Sequence, residues 1–162
     1  MKTQNKILKK ISKTSKNLKK FLNIKNKLPE HQYKKLKVKK GLAELGLFAD
    51  EKIKKGELLI EYVGKILTDK EIENLADNKY IFSVKKDFNL DGSPKWNIAR
   101  YANHSCEPNA ESEIKNKKVF LRAIKNISKG EEITFDYGEE YVKEFLLDKC
   151  KCGTEKHLYH DK

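Results

Sequence analysis

The sequence is poor in the residues that would mark a secreted or membrane-spanning chain. Its 162 residues include three cysteines, three prolines and one tryptophan. No apolar run approaches the roughly 20 residues that a transmembrane helix needs, and the first residues lack the continuous apolar segment of a secretory signal. We therefore expect an intracellular protein without a classical signal peptide or a transmembrane segment.

The three cysteines argue against a disulfide framework. Their number is odd, and Cys150 and Cys152 stand in a Cys-x-Cys spacing, with Cys106 far upstream. Thiols in this arrangement fit a metal site in a reducing compartment better than a set of disulfides.

Acidic residues are almost absent from the first part of the chain. Residues 1–40 hold 15 lysines and the single acid Glu30, a net charge of +14. The remaining 122 residues carry 21 basic and 23 acidic side chains, a net charge of −2. This contrast predicts a basic leader over residues 1–30, followed by a nearly neutral domain that is long enough to form its own core.

The leader has apolar residues at helical spacing. They are Ile7, Ile11, Leu18, Phe21 and Leu28. Spacings of three, four and seven place them on one face of an amphipathic helix surrounded by lysines. Such a segment, with the basic residues up to 40, suits an acidic membrane surface or a nucleic-acid backbone. A solvated, partly disordered leader is an equally consistent interpretation.

Short apolar segments separated by turn residues predict a mostly β fold with short helices. The clearest helix signal is the capping sequence that begins at Thr68. The predicted strands are 33–38, 58–63, 80–84, 88–90, a hairpin around the turn 115–118, and a strand before Tyr137; a turn lies between Gly41 and Gly46, and short helices cover 68–76, 97–102 and 139–147.

The stretch from Arg100 to Asn109 is the densest in reactive side chains. It reads Arg-Tyr-Ala-Asn-His-Ser-Cys-Glu-Pro-Asn and combines a cation, a phenol, amides, an imidazole and a thiol. Loops with such a composition commonly carry binding or catalytic residues. A turn whose polar groups satisfy their own backbone is the alternative.

Three clusters together resemble the SET-domain family of protein-lysine methyltransferases. The Asn-His-Ser-Cys-x-Pro-Asn block is complete at 103–109, and a Glu-Ile-Thr-Phe-Asp-Tyr-Gly strand follows at 132–138. A Cys-x-Cys tail follows at 150–152, as in the post-SET segment of that family. The resemblance extends back to about Lys37 and implies a SET-domain fold, in which small β-sheets surround a pseudoknot-like core. It also implies a SET domain at 31–141 and a post-SET-like tail at 142–162.

The resemblance implies methyl transfer from S-adenosylmethionine to a lysine of a protein, which we expect to be a histone or another basic protein. The amine must react in its neutral form, and deprotonating a lysine of pKa about 10.4 at pH 7 costs about 4 to 5 kcal/mol. By the resemblance, Tyr137 lies beside the transferring methyl and Tyr62 is the second phenol of the lysine channel. Phe135 occupies the position that controls multiplicity, which implies di- or trimethyllysine as the product. Taken alone, each of the three is an ordinary core aromatic.

The resemblance also implies the cofactor site. Its candidate residues are Glu44, Leu45, Gly46, Tyr80, Arg100, Asn103 and His104. Two positions depart from the family pattern: Glu44 replaces the first glycine of Gly-x-Gly, and Trp96 precedes Asn97 where Gly-Asn is usual. Glu44 is compatible with a contact to the cofactor's ammonium group and also with weaker binding. His104, outside this motif, would be interpreted as a structural hydrogen-bonding residue.

The tail implies structural zinc. Cys106, Cys150 and Cys152 match family cysteines, and His157 stands where the family has the fourth, which predicts a Cys3His site. His160 competes for the fourth position, and a metal-free tail is the alternative. The competing function is a non-catalytic, zinc-stapled module that binds nucleic acid or protein. Cytoplasmic and chromatin-associated locations are both compatible with these expectations.

Overall fold

The computed structural model describes residues 33–41, 44–75, 79–146, 150–155 and 159. The predicted leader, His157 and His160 lie outside these residues, and the predicted domain limits therefore stay predictions. Within the described residues, no helix is long and apolar enough to cross a membrane.

Short strands are the predominant regular structure of the described chain, which confirms the predicted fold class. The strands are β1 (Leu36–Lys40), β2 (Leu45–Ala49), β3 (Leu58–Tyr62), β4 (Lys65–Leu67), β5 (Ile81–Lys85), β6 (Phe88–Asp91), β7 (Asn103–His104), β8 (Ala110–Lys115), β9 (Lys118–Ala123) and β10 (Glu132–Phe135). They form three small sheets with the orders β1-β2-β10-β7, β3-β9-β8 and β4-β6-β5.

The helices are short. Helix α1 covers Asp69–Glu73, a 3-10 helix covers Ile98–Tyr101, and α2 covers Glu139–Tyr141 and continues as a π-helical turn over Val142–Leu146. The capping box predicted at Thr68 is present, because the Thr68 and Glu71 side chains bond to each other's backbone N–H groups.

The four-stranded sheet brings the two main motifs together. Strand β7 pairs in parallel with β10, with Asn103 opposite Thr134 and His104 opposite Phe135. The other pairs of this sheet are antiparallel. A parallel pair requires a crossover connection, and here the connection contains the complete β8–β9 hairpin.

Local turn chemistry accounts for the hairpin and supports its prediction. Asn116 and Lys117 both have positive φ, 51° and 61°, and they form the two-residue loop between β8 and β9. Two successive residues with positive φ are typical of a type I′ turn, whose twist matches that of the strands it connects.

Two predicted boundaries are wrong. Gly46 lies inside β2, opposite Lys39 of β1, and does not close a turn. A Cβ at Gly46 would collide with the Glu132 carboxylate, so this position needs glycine for space within a strand. The first strand begins at Leu36, three residues later than predicted.

The core lies where the sheets meet. Its fully buried members include Leu47 of β2, Leu59 and Ile60 of β3, Leu121 of β9 and Ile133 of β10. Burying one such aliphatic side chain contributes about 1.5 to 3 kcal/mol. The site described below therefore rests on elements that share one core.

Candidate active site

A cavity of about 580 Å³ borders the 3-10 helix, the end of β10 and α2. Its volume lies in the range typical of small-molecule sites, about 300 to 1,000 Å³. Aromatic side chains form much of its wall. They are Tyr62, Tyr80, Phe82, Tyr101, Phe135, Tyr137, Tyr141 and Phe145.

A second cavity of about 340 Å³ shares lining residues with the first. The shared residues are Glu44, Asn103, Tyr137 and Leu146. Among the described residues, Tyr62 and Phe135 line only the first cavity, whereas His104 and the tail cysteines line only the second. Tyr137 therefore stands where the two cavities meet.

The Tyr137 phenol is held in place by its surroundings. Its hydroxyl donates to the Ala102 carbonyl oxygen at 2.8 Å, and its ring lies 4.8 Å from the Phe135 ring, centroid to centroid. Burial raises the pKa of Tyr137 far above its usual range. The group therefore stays protonated near neutral pH, where it serves as a hydrogen-bond donor and not as a base.

Tyr62 is the last residue of β3 and is buried. Its hydroxyl donates to the Tyr80 carbonyl oxygen at 2.8 Å, and burial raises its pKa above the usual range. Gly92 packs so closely on the phenol that an added Cβ would collide with it. Asn97, itself fully buried, fixes this segment by donating to the Gly92 carbonyl oxygen at 3.1 Å.

Arg100 and Tyr80, both predicted to contact a cofactor, contact each other. The Arg100 guanidinium lies 3.7 Å from the centre of the Tyr80 ring, and one terminal nitrogen donates to the Ser93 carbonyl oxygen. Among the described residues, the Arg100 Nε is buried with no hydrogen-bond partner. A buried N–H at a cavity wall is costly to leave unpaired, and it suits a ligand that carries an acceptor oxygen.

The predicted polar loop is tied to β10 through Asn103. The Asn103 amide donates to Glu132 Oε1 at 2.7 Å and to the Leu45 carbonyl oxygen at 3.3 Å. Glu44 and Leu45 line the first cavity with exposed side chains, which are accessible to a ligand. Gly46 lines neither cavity among the described residues and contributes space for Glu132.

His104 connects Tyr137 to the cysteines. Its Nδ1 accepts the Tyr137 backbone N–H at 3.3 Å, and its Nε2 lies 3.4 Å from Cys106 Sγ. The Nδ1 is therefore an acceptor, which places the proton of the neutral ring on Nε2, directed at the Cys106 sulfur. Asp136 Oδ1 lies 3.7 Å from Nδ1, beyond hydrogen-bond distance.

Two of the predicted metal ligands, Cys106 and Cys150, lie close to each other and to His104. Cys106 Sγ and Cys150 Sγ are 3.9 Å apart, and the two sulfurs lie within 4.8 Å of a nitrogen of His104. Two sulfurs bound tetrahedrally to one zinc at about 2.3 Å each would be about 3.8 Å apart. A disulfide would need a separation of about 2.05 Å. The spacing of the pair is therefore compatible with two thiolates on one metal ion and excludes a disulfide.

The third cysteine and the tail pack nearby. Cys152 lines the second cavity, and its Sγ lies 3.0 Å from Thr154 Oγ1. Burial acts to raise the pKa of Cys152, but hydrogen bonds, first that of the Thr154 side chain, outweigh it and lower the pKa to about 6. Further along, the Tyr159 hydroxyl donates to Asp136 Oδ2 at 2.6 Å. The tail thus returns to the residue before Tyr137.

Several cavity residues were not predicted as site residues. Tyr141, Phe145 and Leu146 belong to the helical segment that was predicted only to pack on the domain, and Lys79, Lys95 and Tyr101 were not singled out. In the sequence, Tyr141 follows Tyr137 by four residues. Ordinary core residues show the same spacing, so it did not indicate that Tyr141 lines the cavity.

Two cavities that share Tyr137, one of them lined by aromatic side chains and the other by cysteines of the tail, are suited to binding a small ligand. The sequence profile of the SET domain matches residues 44–138, more than half of the chain. The chain belongs to the SET domain family, which confirms the resemblance.

Similar proteins are histone methyltransferases by name. The "Histone-lysine N-methyltransferase, H3 lysine-4 specific" of Schizosaccharomyces pombe is 36% identical over 121 residues, covering 67% of this chain and 13% of that protein. The "Histone-lysine N-methyltransferase mes-4" of Caenorhabditis elegans is 34% identical over 133 residues, covering 68% and 15%. "Histone-lysine N-methyltransferase ASHH3" of Arabidopsis thaliana is 33% identical over 120 residues, covering 67% and 32%. The chain thus spans at most about a third of the length of these relatives.

Proposed function

We propose that the chain is a protein-lysine N-methyltransferase that uses S-adenosylmethionine. The observation that carries this proposal is the position of Tyr137, a protonated phenol at the junction of two cavities within the SET domain. The two cavities together offer space for the cofactor and for the lysine side chain, with Tyr137 at their junction. The similar proteins named above support this reaction class.

The aromatic wall suits a lysine that must lose its proton before it reacts. Tyr62, Phe135 and Tyr137 surround the first cavity with apolar ring surface. Such a wall removes water from the ammonium group and lowers its pKa, because burial disfavours the charged form. Backbone carbonyl oxygens at the wall, such as that of Ala102, already accept a phenol hydroxyl. The positioned phenols then restrict the amine to the reactive orientation, and the gain is mainly one of geometry.

The residues present fit the cofactor. S-adenosylmethionine supplies an activated methyl group when it is bound. The buried, unpartnered Nε–H of Arg100 suits its carboxylate, and the exposed Glu44 suits its ammonium group. Asn103 and His104 line the second cavity, where they complete the site. Tyr80 holds Arg100 in place by stacking.

The thiols of the polar loop and of the tail also suit zinc. We include in the proposal that Cys106, Cys150, Cys152 and His157 hold one structural zinc ion, with His160 as the competitor for the fourth position. The 3.9 Å separation of two sulfurs supports it. His104, which directs Nε2 at Cys106 Sγ, acts as a hydrogen-bonding partner of a ligand. Such partners orient and tune metal ligands.

The substrate that we propose is a histone or another basic protein, and the site of action is chromatin or the cytoplasm. The names of the similar proteins support a histone. The proposed end product is di- or trimethyllysine, because Phe135 leaves the cavity without a hydroxyl at that position. An interaction of residues 1–40 with an acidic surface or nucleic acid remains part of the proposal, supported by their charge of +14.

Two measurements test this function. Incubation of the chain with S-adenosylmethionine and core histones, followed by mass spectrometry, should show methylated lysines. Calorimetry should show cofactor binding, which a non-catalytic zinc-stapled module would lack. A chain that neither binds S-adenosylmethionine nor methylates any protein of a lysate would refute the proposal.

A further inference from the structure

Three tyrosines of the first cavity donate a hydrogen bond from their hydroxyl to a backbone carbonyl oxygen. Tyr137 donates to Ala102 and Tyr62 donates to Tyr80. The third phenol, Tyr141, donates to the Lys79 carbonyl oxygen at 3.1 Å. Tyr62 comes from β3 and Tyr141 from α2, yet their acceptors are consecutive residues. The segment Lys79–Tyr80 is thus held by hydroxyls from two separate elements.

The ring of Tyr141 stands against the phenol at the junction of the cavities. Its centroid is 4.9 Å from that of Tyr137, with the planes nearly perpendicular at 89°. On its other side, Phe145 lies 4.7 Å away, centroid to centroid. Edge-to-face packing of this kind fixes the relative orientation of two rings. The ring of Tyr141 therefore contacts Tyr137. Its hydroxyl bonds to Lys79 in the cavity wall, which lies far away in the sequence.

The segment that receives the hydroxyl is part of the cavity wall. Lys79 and Tyr80 both line the first cavity. The Tyr80 carbonyl oxygen accepts a second bond, from the Gly92 backbone N–H at 3.0 Å, and the Tyr80 ring is covered by Arg100. Tyr80 is thus anchored at several points, and Tyr141 extends the anchoring to the preceding residue, which has an exposed side chain.

Tyr141 is connected to both phenols of the proposed lysine channel. Its ring contacts that of Tyr137, and its hydroxyl bonds to Lys79, directly before the residue whose carbonyl oxygen accepts the Tyr62 hydroxyl. A change at the Tyr141 hydroxyl should therefore alter the binding of the acceptor lysine.

We propose that Tyr141 is a positioning residue that sets the width of the acceptor-lysine channel by clasping the Lys79–Tyr80 wall to the helix after Tyr137. This inference rests on the proposed function. The Tyr141 hydroxyl determines how closely the wall fits the lysine side chain, and the Tyr141 ring supports Tyr137.

The test uses Tyr141→Phe, which keeps the ring and removes the clasp. One lost hydrogen bond should raise the KM for core histones roughly two- to tenfold. We expect kcat to stay within about twofold of the wild type, since the contacts of Tyr137 are retained. Amides of residues 79–85 should exchange with deuterium faster. Tyr33→Phe is the matched control, because its hydroxyl donates to Glu61 at 3.0 Å and does not line the cavity.

The outcomes separate this inference from the proposed function. Wild-type chain that methylates no protein contradicts the function, whereas the exchange measurement still reports on the clasp. Wild-type exchange in Tyr141→Phe, or faster exchange with an unchanged KM, overturns the role of Tyr141. A double-mutant cycle with Tyr62→Phe supplies a second reading: two hydroxyls that hold one segment should show coupled effects on KM. Strictly additive effects would also overturn the inference.

Discussion

Tyr137 shows how one residue acquires a role from its surroundings. A phenol in solution titrates near pH 10, but burial raises the pKa of Tyr137 far beyond that value. Its hydroxyl forms a hydrogen bond between two neutral groups, with the Ala102 carbonyl oxygen as the acceptor. The group is therefore suited to positioning, and its removal should affect the chemical step selectively.

We predict that Tyr137→Phe slows methyl transfer by about a hundredfold or more, because misplacement of the reacting groups by about 1 Å has effects of that size. Cofactor binding, measured by calorimetry, and the thermal midpoint should remain close to those of the wild type. Single-turnover kinetics measure the rate. Near-normal turnover would remove Tyr137 from the active site.

A second residue-scale prediction concerns Phe135, which is buried beside Tyr137. A hydroxyl at this position would hold a water molecule where a methyl group could otherwise lie. Phe135→Tyr should therefore shift the product from di- or trimethyllysine to monomethyllysine while turnover continues. Mass spectra of the product lysine under excess cofactor report the shift.

Phe120→Tyr is the matched control for Phe135→Tyr. Phe120 is buried in β9 and does not line the first cavity. An unpaired buried hydroxyl there should reduce stability by about 1 to 3 kcal/mol and leave the product unchanged. If the wild type itself stops at one methyl group, the assignment of Phe135 is wrong.

At the scale of elements, the junction of the polar loop with β10 determines the site. Asn109 Oδ1 accepts the Thr134 N–H at 3.0 Å, and its Nδ2 donates to the Glu132 carbonyl oxygen at 2.8 Å. These bonds lie directly beside the parallel pairing of β7 and β10. The side chain therefore completes the pairing where the short β7 strand provides only two residues.

We predict that Asn109→Ala destabilises the domain by about 1 to 3 kcal/mol, because buried backbone groups lose their partners. Asn126→Ala is the control: the exposed Asn126 accepts one backbone N–H, from Lys55 at 2.9 Å, and its loss should cost less. Urea unfolding measures both variants. Equal effects would show that Asn109 is not the link between the two elements.

At the scale of the whole molecule, the tail connects to the site through three separate contacts. Cys150 meets Cys106, Cys152 reaches the second cavity, and Tyr159 donates to Asp136. A metal that joined the cysteines would fasten the tail across the second cavity. Structural zinc contributes directly to folding free energy.

We therefore predict about one zinc per chain by elemental analysis of protein purified without chelators. A strong chelator should lower the thermal midpoint and the activity, and added zinc should restore both. His157→Ala should lose the metal, whereas the matched variant His160→Ala should retain it. Protein without stoichiometric metal would end this hypothesis. Loss of the metal in His160→Ala, with the metal retained in His157→Ala, would instead assign the fourth ligand position to His160.

The elements that were predicted correctly depend on short-range interactions. The capping box at Thr68, the strand 58–62 and the hairpin turn at 116–117 each involve residues close in the chain. The spacing of apolar and turn residues is sufficient for such elements. Gly46 was misassigned because its reason for being glycine, the Glu132 carboxylate, lies 86 positions away.

The sequence by itself determined the family, the mostly β class and the identity of the motifs, because these depend on residue type and order. Only the tertiary structure decided which motif residues meet. The parallel pairing of β7 with β10 places Asn103 and His104 beside Tyr137, and chain folding brings Cys106 to Cys150. Tyr141 became part of the site only through its bond to Lys79, 62 residues earlier. Such contacts depend on how separate elements pack, and the spacing of residues within one element does not encode them.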